Sequence, residues 1–116
     1  MVLSNETGLG YIVVTNTIAR LNEWHGVHVE TKGGVTIRTV HSMSNGKDND
    51  GDGIYLRAAT PARMIIQDSS FLGNEGSGID IAYDSWGIPT LGNVSYFGND
   101  TDLDGDLNYY AHAYIP

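Results

Sequence analysis

Residues 70–81 read Ser70-Phe71-Leu72-Gly73-Asn74-Glu75-Gly76-Ser77-Gly78-Ile79-Asp80-Ile81, and this stretch decides the fold. An asparagine is followed by a glycine, and the glycine leads a short apolar–polar alternation. Alternation with period two is a β-strand with one buried face. Weaker copies surround it: Gly8-Leu9-Gly10-Tyr11 after Asn5, Gly26-Val27-His28-Val29 after Asn22, and Gly53-Ile54-Tyr55-Leu56 after Asn45. A fifth, Gly105-Asp106-Leu107-Asn108-Tyr109 after Asn99, is out of step by one.

Working outward, a second alternating pair precedes each later asparagine by ten and eight residues. The pairs are Ile12/Val14, Val35/Ile37, Met64/Ile66 and a degraded Pro89/Leu91. The asparagine-to-glycine step varies (3, 4, 8, 4 and 6 residues), so the asparagines stand 17, 23, 29 and 25 residues apart. A fixed strand frame with variable turns is the mark of a solenoid. The longest helical candidate, Thr15 to Trp24, is interrupted by Asn16 and Asn22, which leaves room for one turn only. A β-sandwich would also supply short, regularly spaced strands, but not the repeated order asparagine, glycine, strand, turn, strand.

The repeat resembles that of the right-handed parallel β-helix family, which includes pectate-lyase-like folds and tailspikes. The resemblance implies an all-β, right-handed parallel β-helix of four to five coils, with residues 1–116 as one domain. It also implies that Asn22, Asn45, Asn74 and Asn99 stack as an internal ladder, with Asn5 a looser fit. Asparagine suits that place because it tolerates a left-handed turn and its amide can bond coils on both sides.

Composition narrows the function. Of 116 residues, 41% are hydrophobic and 17% charged, enough for a packed core, and the fifteen glycines match many turns. Fourteen acidic against six basic residues give a formal charge of −8, which disfavours a nucleic acid or an anionic membrane surface as partner. No apolar run reaches the length of a membrane span. Cysteine is absent, which removes thiol catalysis, zinc fingers and disulfide frameworks.

Three features carry candidate chemistry. Asp48-Asn49-Asp50-Gly51-Asp52-Gly53 and Asp100-Thr101-Asp102-Leu103-Asp104-Gly105 both spell D-x-D-x-D-G, the opening half of a calcium loop in which alternate carboxylates converge on a hard cation. Position twelve is Ala59 or Ala111, so neither is an EF-hand; Asn108 offers a closing oxygen to the second. Calcium is therefore expected at Asp100, Asp102, Asp104 and Asn108, and less so at Asp48, Asp50 and Asp52. The second feature is the outward row of the leading strands, where His28, Tyr55 and Asp80 would form one column about 4.8 Å apart, with Arg57 and Glu30 one position along. Such a face can serve acid–base chemistry on an acidic polysaccharide, as enzymes of the family do, or simply be a polar, solvent-facing sheet. The third is aromatic: Tyr109, Tyr110 and Tyr114 at the C-terminus and Trp86, Tyr96 and Phe97 upstream suit either sugar stacking or the cover of the last coil.

The chain opens on what reads as a coil without a capping helix, so both ends are expected to be uncapped. The expected function is a secreted or cell-surface structural module that stacks end to end on copies of itself, or forms part of a larger surface protein, stabilised by calcium. The alternative is a polysaccharide-active or glycan-binding β-helix fragment using His28, Tyr55, Asp80 and Arg57.

Overall fold

A computed structural model describes residues 1–5, 10–47, 51–58, 63–82 and 89–105, the last five by backbone alone. Among these residues the chain is all-β. Nine strands are β1 (Val2–Asn5), β2 (Ile12–Arg20), β3 (Val27–Thr31), β4 (Val35–Met43), β5 (Ile54–Ala58), β6 (Met64–Leu72), β7 (Ser77–Ile81), β8 (Thr90–Ser95) and β9 (Thr101–Gly105). Odd-numbered strands form one parallel sheet, β1-β3-β5-β7-β9, and even-numbered strands a second, β2-β4-β6-β8. Alternating membership with parallel pairing throughout makes a β-solenoid whose coils stack in chain order. It has about three turns, slightly fewer than the four to five expected.

Register turns the sequence repeat into columns. Val27, Ile54 and Ile79 align, as do Val29, Leu56 and Ile81, all buried on the inner face of the odd sheet. Val14, Ile37, Ile66 and Leu91 form the facing column of the even sheet. Each coil therefore covers the apolar cross-section of the next, and burial at roughly 25 cal/mol per Å² supplies the main stabilisation.

Two boundaries differ from the sequence reading. The first odd strand is Val2–Asn5, ahead of the expected Gly8-led copy; Asn5 pairs with Thr31 at the end of that strand, and its Nδ2 donates to the Gly10 carbonyl at 2.7 Å. Asn5 is thus no ladder residue. The last described odd strand is Thr101–Gly105, with Leu103 in register with Ile79; the copy expected after Gly105 lies outside the described residues.

The even strands run for nine residues in β2, β4 and β6, each with a left-handed residue in its middle: Asn16 (φ 50°), Thr39 (55°) and Asp68 (51°), continued by Asn93 (53°) in β8. A second left-handed column lies five residues further on, at Leu21, Ser44, Gly73 and Gly98. The left-handed turn residue is therefore the one before each ladder asparagine, and not the asparagine itself. Gly73 and Gly98 suit that backbone; Leu21 and Ser44 adopt it at a cost.

Candidate functional site

Asn22, Asn45, Asn74 and Asn99 form a hydrogen-bonded column down one corner of the solenoid. Asn22 donates to Asn45 Oδ1 from its backbone N–H (3.2 Å) and Nδ2 (2.7 Å). Asn45 donates likewise to Asn74 Oδ1 (3.0 and 2.9 Å), and Asn74 to Asn99 Oδ1 (both 2.8 Å). The remaining amide proton turns back to the preceding coil: Asn45 to the Ala19 carbonyl (3.1 Å), Asn74 to Ser42 (3.3 Å) and Asn99 to Phe71 (2.9 Å). Each acceptor lies three residues before the previous rung, so every interior rung repeats one geometry. Asn45 and Asn74 are buried, and the column gives them partners that water cannot.

The glycines of the repeat follow from this column. A Cβ on Gly53 would lie 2.7 Å from Asn74 Nδ2 and 2.6 Å from the Gly78 carbonyl oxygen; one on Gly26 would overlap Ser42 Oγ and lie 2.7 Å from Asn45 Nδ2. Close approach of the next coil's amide, not turn geometry, is why glycine leads these two strands.

At the N-terminal coil the column is open. Among the described residues no donor reaches Asn22 Oδ1, whose side chain is half-buried. Beside it lies an open concavity of about 640 Å³ lined by Met1, Ile18, Ala19, Arg20, Asn22 and Met43. Among the described residues no strand neighbours the outer edge of β2.

The polar face of the odd sheet is the second candidate. Register places His28 beside Tyr55, Tyr55 beside Asp80, Asp80 beside Asp104, and Glu30 beside Arg57. His28 and Tyr55 rings meet at 4.8 Å, and His28 Nε2 lies 3.0 Å from Glu30 Oε1. His25 joins them from the preceding turn, its ring stacked on Tyr55 at 5.3 Å. With Val2 and the exposed Trp24, His25 and His28 line a cleft of about 310 Å³. Neither Trp24 nor His25 was singled out by the sequence pattern, because both sit in a turn outside the strand frame.

Asp52 has a different occupation from the one expected. Its carboxylate is buried; Oδ1 accepts the Ser77 N–H at 2.7 Å and Oδ2 lies 3.0 Å from His25 Nδ1. The same His25 nitrogen accepts the Asp52 N–H at 2.9 Å. A neutral imidazole takes the N–H, whereas a protonated one donates to the carboxylate, so Asp52 ties three successive coils in either state. Asp48, Asp50 and Asn108 lie outside the described residues, as do Trp86, Tyr109, Tyr110 and Tyr114. Asp100 is exposed after β8, and Asp102 and Asp104 are alternate positions of a strand where a loop was expected. Among the described residues no group of three or more His, Asp or Glu is placed to hold a metal ion.

No family model, curated protein or solved structure matches the chain. The likeness to pectate-lyase-like repeats therefore rests on the repeat alone, and the columns themselves carry the functional reading.

Proposed function

We propose that this chain is a structural module: a stiff β-solenoid element, secreted or at the cell surface, that associates coil on coil. The observation that carries the reading is the open acceptor at Asn22 Oδ1, facing a concavity beside the unpaired edge of β2. Each interior asparagine oxygen of the ladder receives two donors from the coil before it, and an unpaired strand edge is a template for another strand. Calcium at Asp100, Asp102 and Asp104 belongs to the same proposal, as a tie at the acidic end. Light scattering after gel filtration tests it. Wild type and the His28→Ala and Asp80→Ala variants should associate alike, since neither residue belongs to the column; loss of association in either variant would contradict the reading.

One observation favours a second reading, glycan binding: the cleft of Trp24, His25 and His28 offers an exposed indole beside two imidazoles, a surface suited to a sugar ring. Titration with acidic oligosaccharides, followed by tryptophan fluorescence in wild type and Trp24→Ala, separates it from the structural reading.

A further inference from the structure

The large apolar side chains that the described residues expose are not spread along the solenoid. Met1, Val2, Tyr11, Val13, Ile18, Leu21 and Trp24 lie in the first coil, and Phe97 lies in the last described one. Among the described residues the coils between expose none. Interior coils are covered by their neighbours, so among the described residues apolar exposure marks the first coil above all as a surface that lacks one.

Charge is just as unevenly placed. Residues 1–63 hold six basic and six acidic side chains, and residues 64–116 hold eight acidic and no basic ones. Because the coils stack in chain order, Asp68, Glu75, Asp80, Asp100, Asp102 and Asp104 give the later coils a uniform negative sign. Two such ends repel each other more strongly than an acidic end repels the half of the chain up to residue 63. The side chains of that half carry no net charge, and in it Arg20 of the first coil is exposed.

The repeat also fixes which residues would meet. Arg20 pairs in register with Met43, and Met43 with Leu72; each stands two residues before its ladder asparagine. Phe97 holds the same place before Asn99, its carbonyl accepting the Gly73 N–H at 3.1 Å. The outer positions Ile18, His41, Ser70 and Ser95 form the neighbouring column.

We infer that the open N-terminal coil takes a second copy of this chain head to tail. The partner copy's β8 adds parallel to β2 in the register of the interior coils, with its Phe97 against Arg20 and its Ser95 beside Ile18. An amide of the incoming coil supplies Asn22 Oδ1, and Phe97 gains a cation–π contact with the guanidinium. This rests on the structural reading above and adds its partner, polarity and register. A heterologous contact of this kind propagates along the axis.

The absence of cysteine makes the test direct. Arg20→Cys and Phe97→Cys are both exposed positions, and in-register neighbours on adjacent strands are close enough for a disulfide. Each variant is oxidised alone and mixed in equal amounts, then run on non-reducing gels beside sedimentation of the unmodified protein. The mixture should give a cross-linked pair at least severalfold above either variant alone. Association with Arg20→Cys cross-linking chiefly to itself would overturn the head-to-tail polarity and leave the structural reading standing. A protein that sediments as a monomer at every concentration would overturn both. Val13→Pro supplies a second arm: Ile12 N–H bonds the Gly34 carbonyl at 2.9 Å on the β4 side, so Val13 N–H points to the outer edge, and its loss should weaken association at least tenfold while circular dichroism stays that of a β-solenoid. Unchanged association in a folded Val13→Pro protein would count against β2 as the contact.

Discussion

Asn74 Oδ1 accepts two hydrogen bonds from Asn45, one from its backbone N–H at 3.0 Å and one from its Nδ2 at 2.9 Å. One side chain thereby satisfies two donors of the neighbouring coil, and repetition of the pair sets the coil-to-coil register at this corner. The column is a consequence of stacking: no single coil contains both partners.

Asn45→Ala should destabilise the chain by about 3–5 kcal/mol, because it strands the Asn22 donors and the Asn74 oxygen loses one of its two. Asn22→Ala, at the half-buried end, should cost only about 1 kcal/mol. Urea unfolding of both proteins checks this, and equal losses would show that the column is not what holds the corner.

Gly53→Ala should cost about 3 kcal/mol, since the new methyl meets Asn74 Nδ2 and the Gly78 carbonyl. Gly92→Ala provides the contrast. Its nearest neighbour would be Gln67 Cβ at 3.9 Å, so that variant should be neutral or more stable by about 0.5 kcal/mol. Thermal melts of the two proteins separate close packing from loss of chain flexibility.

Thr39 is a β-branched residue at φ 55°, in a column otherwise made of Asn16, Asp68 and Asn93. Thr39→Asn should raise stability by about 1 kcal/mol, because asparagine adopts the left-handed region at lower cost. Asn93 Nδ2 already donates to Asp68 Oδ1 at 2.9 Å, so an amide at position 39 would also sit next to a partner of the right kind. A lower melting temperature in the variant would contradict this account of the bend.

How much of this was legible in the sequence depended on which force wrote the signal. Buried columns such as Val29–Leu56–Ile81 were legible because alternation records burial directly. Asn22, Asn45, Asn74 and Asn99 were legible from their constant distance to the preceding strand. The mid-strand bends were not, since Asn16, Thr39, Asp68 and Asn93 differ in type and share only a backbone angle. β1 was missed because its four residues carry no leading glycine, and β9 because its alternate aspartates read as a cation loop. Asp52 was read as a cation ligand from its neighbours in sequence, whereas its partners His25 and Ser77 lie in other coils. Long-range partners leave no trace in local spacing.

Calcium at Asp100, Asp102 and Asp104 should raise the melting midpoint, by about 2.7 kcal/mol of added stability at a hundredfold excess over the dissociation constant. Melts with calcium and with chelator test this, and coincident curves would remove the metal from the account.

The central claim is that the solenoid associates through its open coil ends, and negative-stain electron microscopy over a concentration series tests it most directly. The account predicts particles of constant width that lengthen along one axis as concentration rises. Compact particles of one size at every concentration would contradict it.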